Sequence, residues 1–102
     1  MNTTIREEGS CIIVTLEGRL DTVAAEQARK ELAPLYESTG RDIVIDCDQL
    51  EYISSSGLRI LLSIRKTAAT TGNKVTVLNI SPEIEKVFAM TGFDTLFDIQ
   101  KK

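Results

Sequence analysis

The run Asp42-Ile43-Val44-Ile45-Asp46-Cys47 and the later stretch Glu51-Tyr52-Ile53-Ser54-Ser55-Ser56-Gly57-Leu58 read as a strand delivered to the start of a helix. Ile43, Val44 and Ile45 are apolar in succession, the pattern of a central strand covered on both faces. Beyond the serines, Leu58, Leu61, Ile64 and Ala68 recur at helical spacing. That spacing predicts an inward stripe on a helix running to about Thr70. Ile60 and Leu62 flank the stripe, so at least one of them is expected to approach the surface.

Two further β-branched runs, residues 11–16 and 74–78, have the length of strands. Lys74-Val75-Thr76-Val77 alternates and suits a half-exposed position. Three helical segments each close on a Thr-Gly pair, in Ser38-Thr39-Gly40, Thr70-Thr71-Gly72 and Met90-Thr91-Gly92. Glycine tolerates the left-handed geometry just past a helix end. Asp21 is placed to cap a first helix over residues 22–38, and Ser81-Pro82-Glu83 combines a capping hydroxyl, a proline at the first helical position and an acid facing the dipole. An extra strand near residues 3–7, turned by Glu8-Gly9-Ser10, would form an antiparallel hairpin with the next.

Strand and helix therefore alternate, which favours βαβ units with right-handed crossovers. The expected fold is α/β: a mixed, mostly parallel central sheet of about four to five strands with three to four helices. A chain of 102 residues has room for one domain, spanning residues 1–102. Phe88, Met90, Phe93, Leu96 and Phe97 are assigned to packing of the last helix and tail on the sheet, and Gln100-Lys101-Lys102 to a frayed end.

Composition narrows the function. Twelve Lys and Arg against 15 Asp and Glu give a net charge of -3 with no basic concentration, so nucleic acid is not an expected partner. No apolar run approaches the roughly 20 residues that span a bilayer, and residues 1–10 lack a secretory pattern. The chain is expected to remain in the cytoplasm, without membrane insertion. Cys11 and Cys47 lie in apolar surroundings without a CxxC spacing and read as buried, reduced thiols. Histidine is absent, which removes the Ser-His-Asp triad, histidine phosphorelay and imidazole zinc sites. Neither a cofactor nor a metal is expected, and the chain does not read as an enzyme.

What remains is the serine cluster. A helix N-terminus exposes free amides and a positive dipole end, a setting that accommodates a phosphoryl group. Ser54, Ser55 and Ser56 can be read as caps, with Gly57 easing a tight turn. One cap needs one serine, however, and the other hydroxyls are left for a different task. A nucleophilic serine is a further reading, but it would need a base such as Lys66 from the far end of the helix.

The stretch Leu50-Glu51-Tyr52-Ile53-Ser54-Ser55-Ser56-Gly57-Leu58 resembles the signature of the STAS domain family, whose bacterial single-domain members are anti-sigma factor antagonists and carry Asp-Ser-Ser/Thr-Gly-Leu here. Leu16-Glu17-Gly18-Arg19-Leu20-Asp21 resembles the family's Gly-x-Leu-Asp. Ile80-Ser81-Pro82, with Val87-Phe88-Ala89-Met90-Thr91-Gly92-Phe93, resembles its third-helix region. The resemblance implies a partner switch. The unphosphorylated antagonist binds an anti-sigma factor that is also a serine kinase, the kinase phosphorylates the antagonist and releases it, and a serine phosphatase resets the state.

By position the implied acceptor is Ser55, with Ser54 and Ser56 as lesser candidates because Ser54 replaces the family's usual acid. Asp21 is implied in partner contact, and Thr22, Ser54, Ser56, Gly57, Leu58 and Ile60 are the expected neighbours of that contact. The alternative function is a STAS-like scaffold subunit of a transport or stress-signalling complex that is not phosphorylated. A receiver domain phosphorylated on aspartate fits poorly, since residues 16–20 offer only Glu17 where clustered acids would hold a metal.

Overall fold

The computed structural model describes residues 1–36 and 40–101. The chain forms β1 (Asn2–Glu8), β2 (Cys11–Leu20), α1 (Thr22–Glu31), a 3-10 turn (Ala33–Tyr36), β3 (Asp42–Ile53), α2 (Ser55–Ala69), β4 (Val75–Ile80), α3 (Pro82–Thr91), a second 3-10 turn (Phe93–Thr95) and β5 (Asp98–Lys101). The strands lie in the order β1-β2-β3-β4-β5. β1 and β2 are antiparallel through the Gly9-Ser10 hairpin, and every later pair is parallel. The mixed, mostly parallel sheet expected from the sequence is present, with the Ile43-Val44-Ile45 run at its centre.

Three parallel crossovers step in one direction across this sheet, so right-handed connections put all three helices on the same face. Burial agrees with this. Ile12, Val14, Leu16, Ile43, Ile45, Cys47, Val75 and Val77 are buried in one core cluster with Ala28, Leu61, Ile64 and Phe88. Their alternate neighbours Ile13, Val44, Thr76 and Leu78 are only half-buried. The expectation that β3 is covered on both sides is therefore corrected: it is central within the sheet, but its second face carries no helix.

The first helix also differs from expectation. It stops at Glu31 rather than continuing to residue 38, with Leu32 as its C-cap. Pro34 lacks an amide hydrogen and cannot continue the α-helical hydrogen-bond ladder, and a 3-10 turn follows instead. Ser38 and Thr39 lie outside the described residues. The other two Thr-Gly endings hold, with Gly72 at φ 71° and Gly92 at φ 76°. Asp42, at the start of β3, accepts from the Lys74 amide (3.0 Å) and the Asn73 side chain (3.1 Å), and these bonds hold its carboxyl below the ordinary range.

Gln100 and Lys101 are not frayed. They belong to β5, opposite Leu78 and Ile80, and Lys101 Nζ lies 3.2 Å from Glu85. Lys102 lies outside the described residues. Phe88, Phe93 and Phe97 pack together with ring centroids 6.0–6.1 Å apart. Met90, assigned to the same packing, is instead 86% exposed on the outer side of α3.

Gly57 determines how α2 meets the sheet. Its backbone is not in the left-handed region, so the turn does not need it. The need is steric: a Cβ would lie 2.8 Å from Ile53 Cγ1 and 2.8 Å from Leu20 Cγ. Gly57→Ala should force α2 away from β2 and β3 and cost about 1–3 kcal/mol, the usual range for overpacking. Denaturant unfolding checks this, with an unchanged m-value expected.

The cysteines separate as well. Burial, reinforced by the Asp46 carboxylate, pushes the Cys47 thiol up to about 12, whereas Cys11 is half-buried and not fully enclosed as the sequence implied. Brief iodoacetamide treatment at about pH 8 should modify Cys11 alone, with Cys47 reacting only in denaturant. Peptide mapping distinguishes the two, and native alkylation of Cys47 would contradict this packing.

Candidate functional site

Three of the parallel strands end by handing the chain to a helix at the same edge of the sheet, and each handover is marked by a capping side chain. Asp21 Oδ1 accepts from the Ala24 amide at 2.8 Å, Ser54 Oγ from the Gly57 amide at 3.2 Å, and Ser81 Oγ from the Ile84 amide at 3.3 Å. The caps anticipated at Asp21 and Ser81 are both formed. The heads of α1 and α2 are neighbours because Leu20 pairs with Ile53 and the Ser54 amide donates to the Leu20 carbonyl at 2.8 Å.

The three serines are not equivalent. Ser54 is 8% exposed and its oxygen is engaged as the cap. Ser55, the first residue of α2, is exposed, and Ser56 is half-buried. Asp21 and Thr22 are exposed at the head of α1. The structure thus brings Asp21, Thr22, Ser55 and Ser56 to one surface.

Gly57, Leu58 and Ile60 were expected at the contact surface as well, and here the expectation is corrected. All three are buried, Gly57 directly against Leu20 and Ile53 and the other two within the hydrophobic core. They support the surface from below. Ile60 retains an edge on a groove of about 240 Å³ between α1 and α2, also lined by Thr22, Ala25, Arg29, Ser56 and Arg59. Tyr36 also lines this groove, and partial burial raises its phenol above the ordinary value, opposed by Ser63 and Arg29. Leu62 is half-buried, so of the two flanking residues it is the one nearer solvent.

Asp21 lines a separate concavity of about 510 Å³, together with Gly18, Arg19, Val23, Gln27 and Glu51. Val23 is 83% exposed, and Tyr52 is 40% exposed with the Arg19 guanidinium 4.5 Å from its ring centroid. Val23, Tyr52, Arg19 and Arg59 were not singled out from the sequence. One signal existed for Val23: it falls outside the Ala25, Ala28 and Leu32 spacing of the buried face of α1.

A second conformational feature lies on β4. Asn79 adopts φ 59°, a geometry asparagine tolerates better than most residues, at the register shift between Leu78 and Ile80. Its side chain donates to Asp46 Oδ1 at 3.1 Å. The bulge precedes Ser81, the capping residue at the head of α3. Among the described residues there is no group of three or more acid, cysteine or histidine side chains that could hold a metal ion, and no helix long and apolar enough to cross a membrane.

This arrangement recurs in known proteins. The STAS domain model matches residues 2–102. BtrV of Bordetella bronchiseptica, provisionally named an anti-sigma factor antagonist, is 30% identical over 99 residues, covering 97% of this chain and 85% of BtrV. The anti-sigma-B factor antagonist of Bacillus subtilis is 28% identical, covering 100% of this chain and 93% of that protein. The crystal structure of an anti-sigma factor antagonist from Mycobacterium paratuberculosis superposes with a TM-score of 0.88 at 21% identity, over 99% of this chain and 86% of that one. With a family model spanning nearly its whole length, the chain belongs to the STAS domain family.

Proposed function

We propose that this chain is an anti-sigma factor antagonist, switched by phosphorylation of Ser55, that binds an anti-sigma factor with serine kinase activity while unmodified. The observation that carries the reading is the division of labour among adjacent serines. Ser54 is buried and engaged as a cap, whereas Ser55 is exposed at the head of α2 beside Asp21 and Thr22. The names of the Bordetella and Bacillus relatives support the same reading.

In the transfer step, the Ser55 oxygen attacks the γ-phosphorus of ATP held by the kinase. The O–P bond forms as the bond to the bridging oxygen of ADP breaks, and the hydroxyl proton passes to a base of the kinase. The product carries about -1.5 to -2 charges at neutral pH. Set in the middle of a docked surface that already contains Asp21, this charge would have to be desolvated against an acid, so the partner leaves. The antagonist itself stays folded, because the free amides at the head of α2 favour a negative group. A serine phosphatase restores the hydroxyl by hydrolysis, releasing inorganic phosphate. The cycle belongs in the cytoplasm and controls sigma-factor-dependent transcription without any catalytic group on this chain.

Incubation with the cognate kinase and ATP, followed by mass spectrometry of the peptide carrying all three serines, tests the acceptor. Phosphate on Ser55 is expected, and absence of phosphate from Ser54, Ser55 and Ser56 would favour an unmodified scaffold role. Ser55→Asp should weaken partner binding by roughly tenfold or more, about 1.4 kcal/mol, while Ser55→Ala should bind without being released by ATP. The Asp variant should melt within about 5 °C of the parent. Equal affinities of the Asp variant and the parent in calorimetry would count against the switch.

Asp21 has two separable roles in this reading. Asp21→Ala removes the cap and should cost about 0.5–2 kcal/mol of stability. Asp21→Asn keeps a capping oxygen and should unfold close to the parent while losing partner affinity. If the Asn variant binds as the parent does, the carboxylate is a cap and nothing more.

A further inference from the structure

We infer that Arg59 is a positioning residue that clamps the phosphate of modified Ser55 within the same helix. This rests on the reading of Ser55 as the acceptor. Arg59 comes four residues after Ser55 in α2, and residues so spaced stand on one helix face with Cβ atoms about 5–6 Å apart. Both are exposed, so their side chains can meet without disturbing the core.

Every other arginine among the described residues already has a partner. Arg6 pairs with Glu8, Arg29 with Glu26 and Arg41 with Glu7. Arg65 donates to the Leu96 carbonyl, and Arg19 covers the Tyr52 ring. Among the described residues Arg59 alone has no ion pair, hydrogen bond or ring contact from its guanidinium, and it stands near the one exposed serine of the cluster.

The surroundings do not compete for it. The charged groups in the groove next to Arg59 are Glu26 and Arg29 of α1, which neutralise each other, and the remaining titratable group is the Tyr36 phenol. Asp21 shares the Ser55 surface but its Oδ1 already accepts from the Ala24 amide, and Glu51 borders the separate concavity. The order is also the favourable one, with the anion nearer the helix N-terminus and the cation four residues later. A guanidinium can offer two parallel N–H donors to a phosphate, a fork that lysine lacks. Held in this way, the phosphate remains a dianion on the antagonist's own surface, and its full charge faces the docking partner.

The test installs phosphoserine at position 55 during translation, so that no kinase is needed, and monitors its 31P resonance against pH. The second ionisation should lie about 0.15–0.4 unit lower in the parent than in Arg59→Gln, as expected for a helix ion pair of this spacing. Arg59→Lys should fall between them, and the difference should shrink in about 1 M salt. In the parent, the Arg59 side-chain Nε–H resonance should titrate with the phosphate. Identical phosphate titrations in the parent and Arg59→Gln, or an Arg59 signal indifferent to the phosphate, would overturn the clamp. Failure of any kinase to modify Ser55 would end the antagonist reading instead, and leaves this measurement unaffected.

Discussion

The site depends on a missing methyl group. At Gly57 the helix α2 comes so near the ends of β2 and β3 that a side chain would lie 2.8 Å from both Ile53 and Leu20. That approach lets the Ser54 amide reach the Leu20 carbonyl and seats the Ser54 oxygen under the first turn. With Ser54 pinned from two sides, the next residue has only one direction to point, which is outward. The exposure of Ser55 is thus a consequence of core packing two residues away.

Two chemically identical hydroxyls therefore have different prospects a single residue apart. The oxygen of Ser54 satisfies an amide that would otherwise be unpaired, so attaching any group to it would disrupt a buried hydrogen bond. The oxygen of Ser55 carries no such obligation in the fold. Because α1 and α2 begin side by side, Asp21 and Thr22 share its surface, and the groove between the helices brings in Arg29 and Arg59. Recognition and modification therefore draw on the same small area, and a change in one is felt by the other.

Much of this could be read from the residues. The alternation of apolar runs with helices, the Thr-Gly endings of the second and third helices, the caps at Asp21 and Ser81, and the central position of Ile43-Val44-Ile45 all survive in the structure. These are local signals, set by backbone hydrogen bonding and glycine geometry within a few residues. Features governed by distant packing were not legible. Val44 is as apolar in a two-layer fold as in a three-layer one, so the uncovered face could not be seen. The four residues of β5 are too few and too polar to announce a strand, and their pairing comes from Leu78 and Ile80. The burial of Leu58 and Ile60 together reflects how deeply α2 sinks between its neighbours, a depth set by Gly57. Arg59 had no pattern to mark it, because its interest lies in what its neighbours already hold.

The plain succession of strands, each hydrogen-bonded to the one before it, has a bearing on how the chain acquires its shape. No strand must leave a gap for a segment still to be made, and no later piece has to be threaded between earlier ones. As the polypeptide emerges from the ribosome, the sheet can grow at its open edge, each new helix sealing the layer beneath it. The handover from β3 to α2 is thus complete before the last third of the chain has been synthesised, and the remaining strands and helix extend a surface already in place.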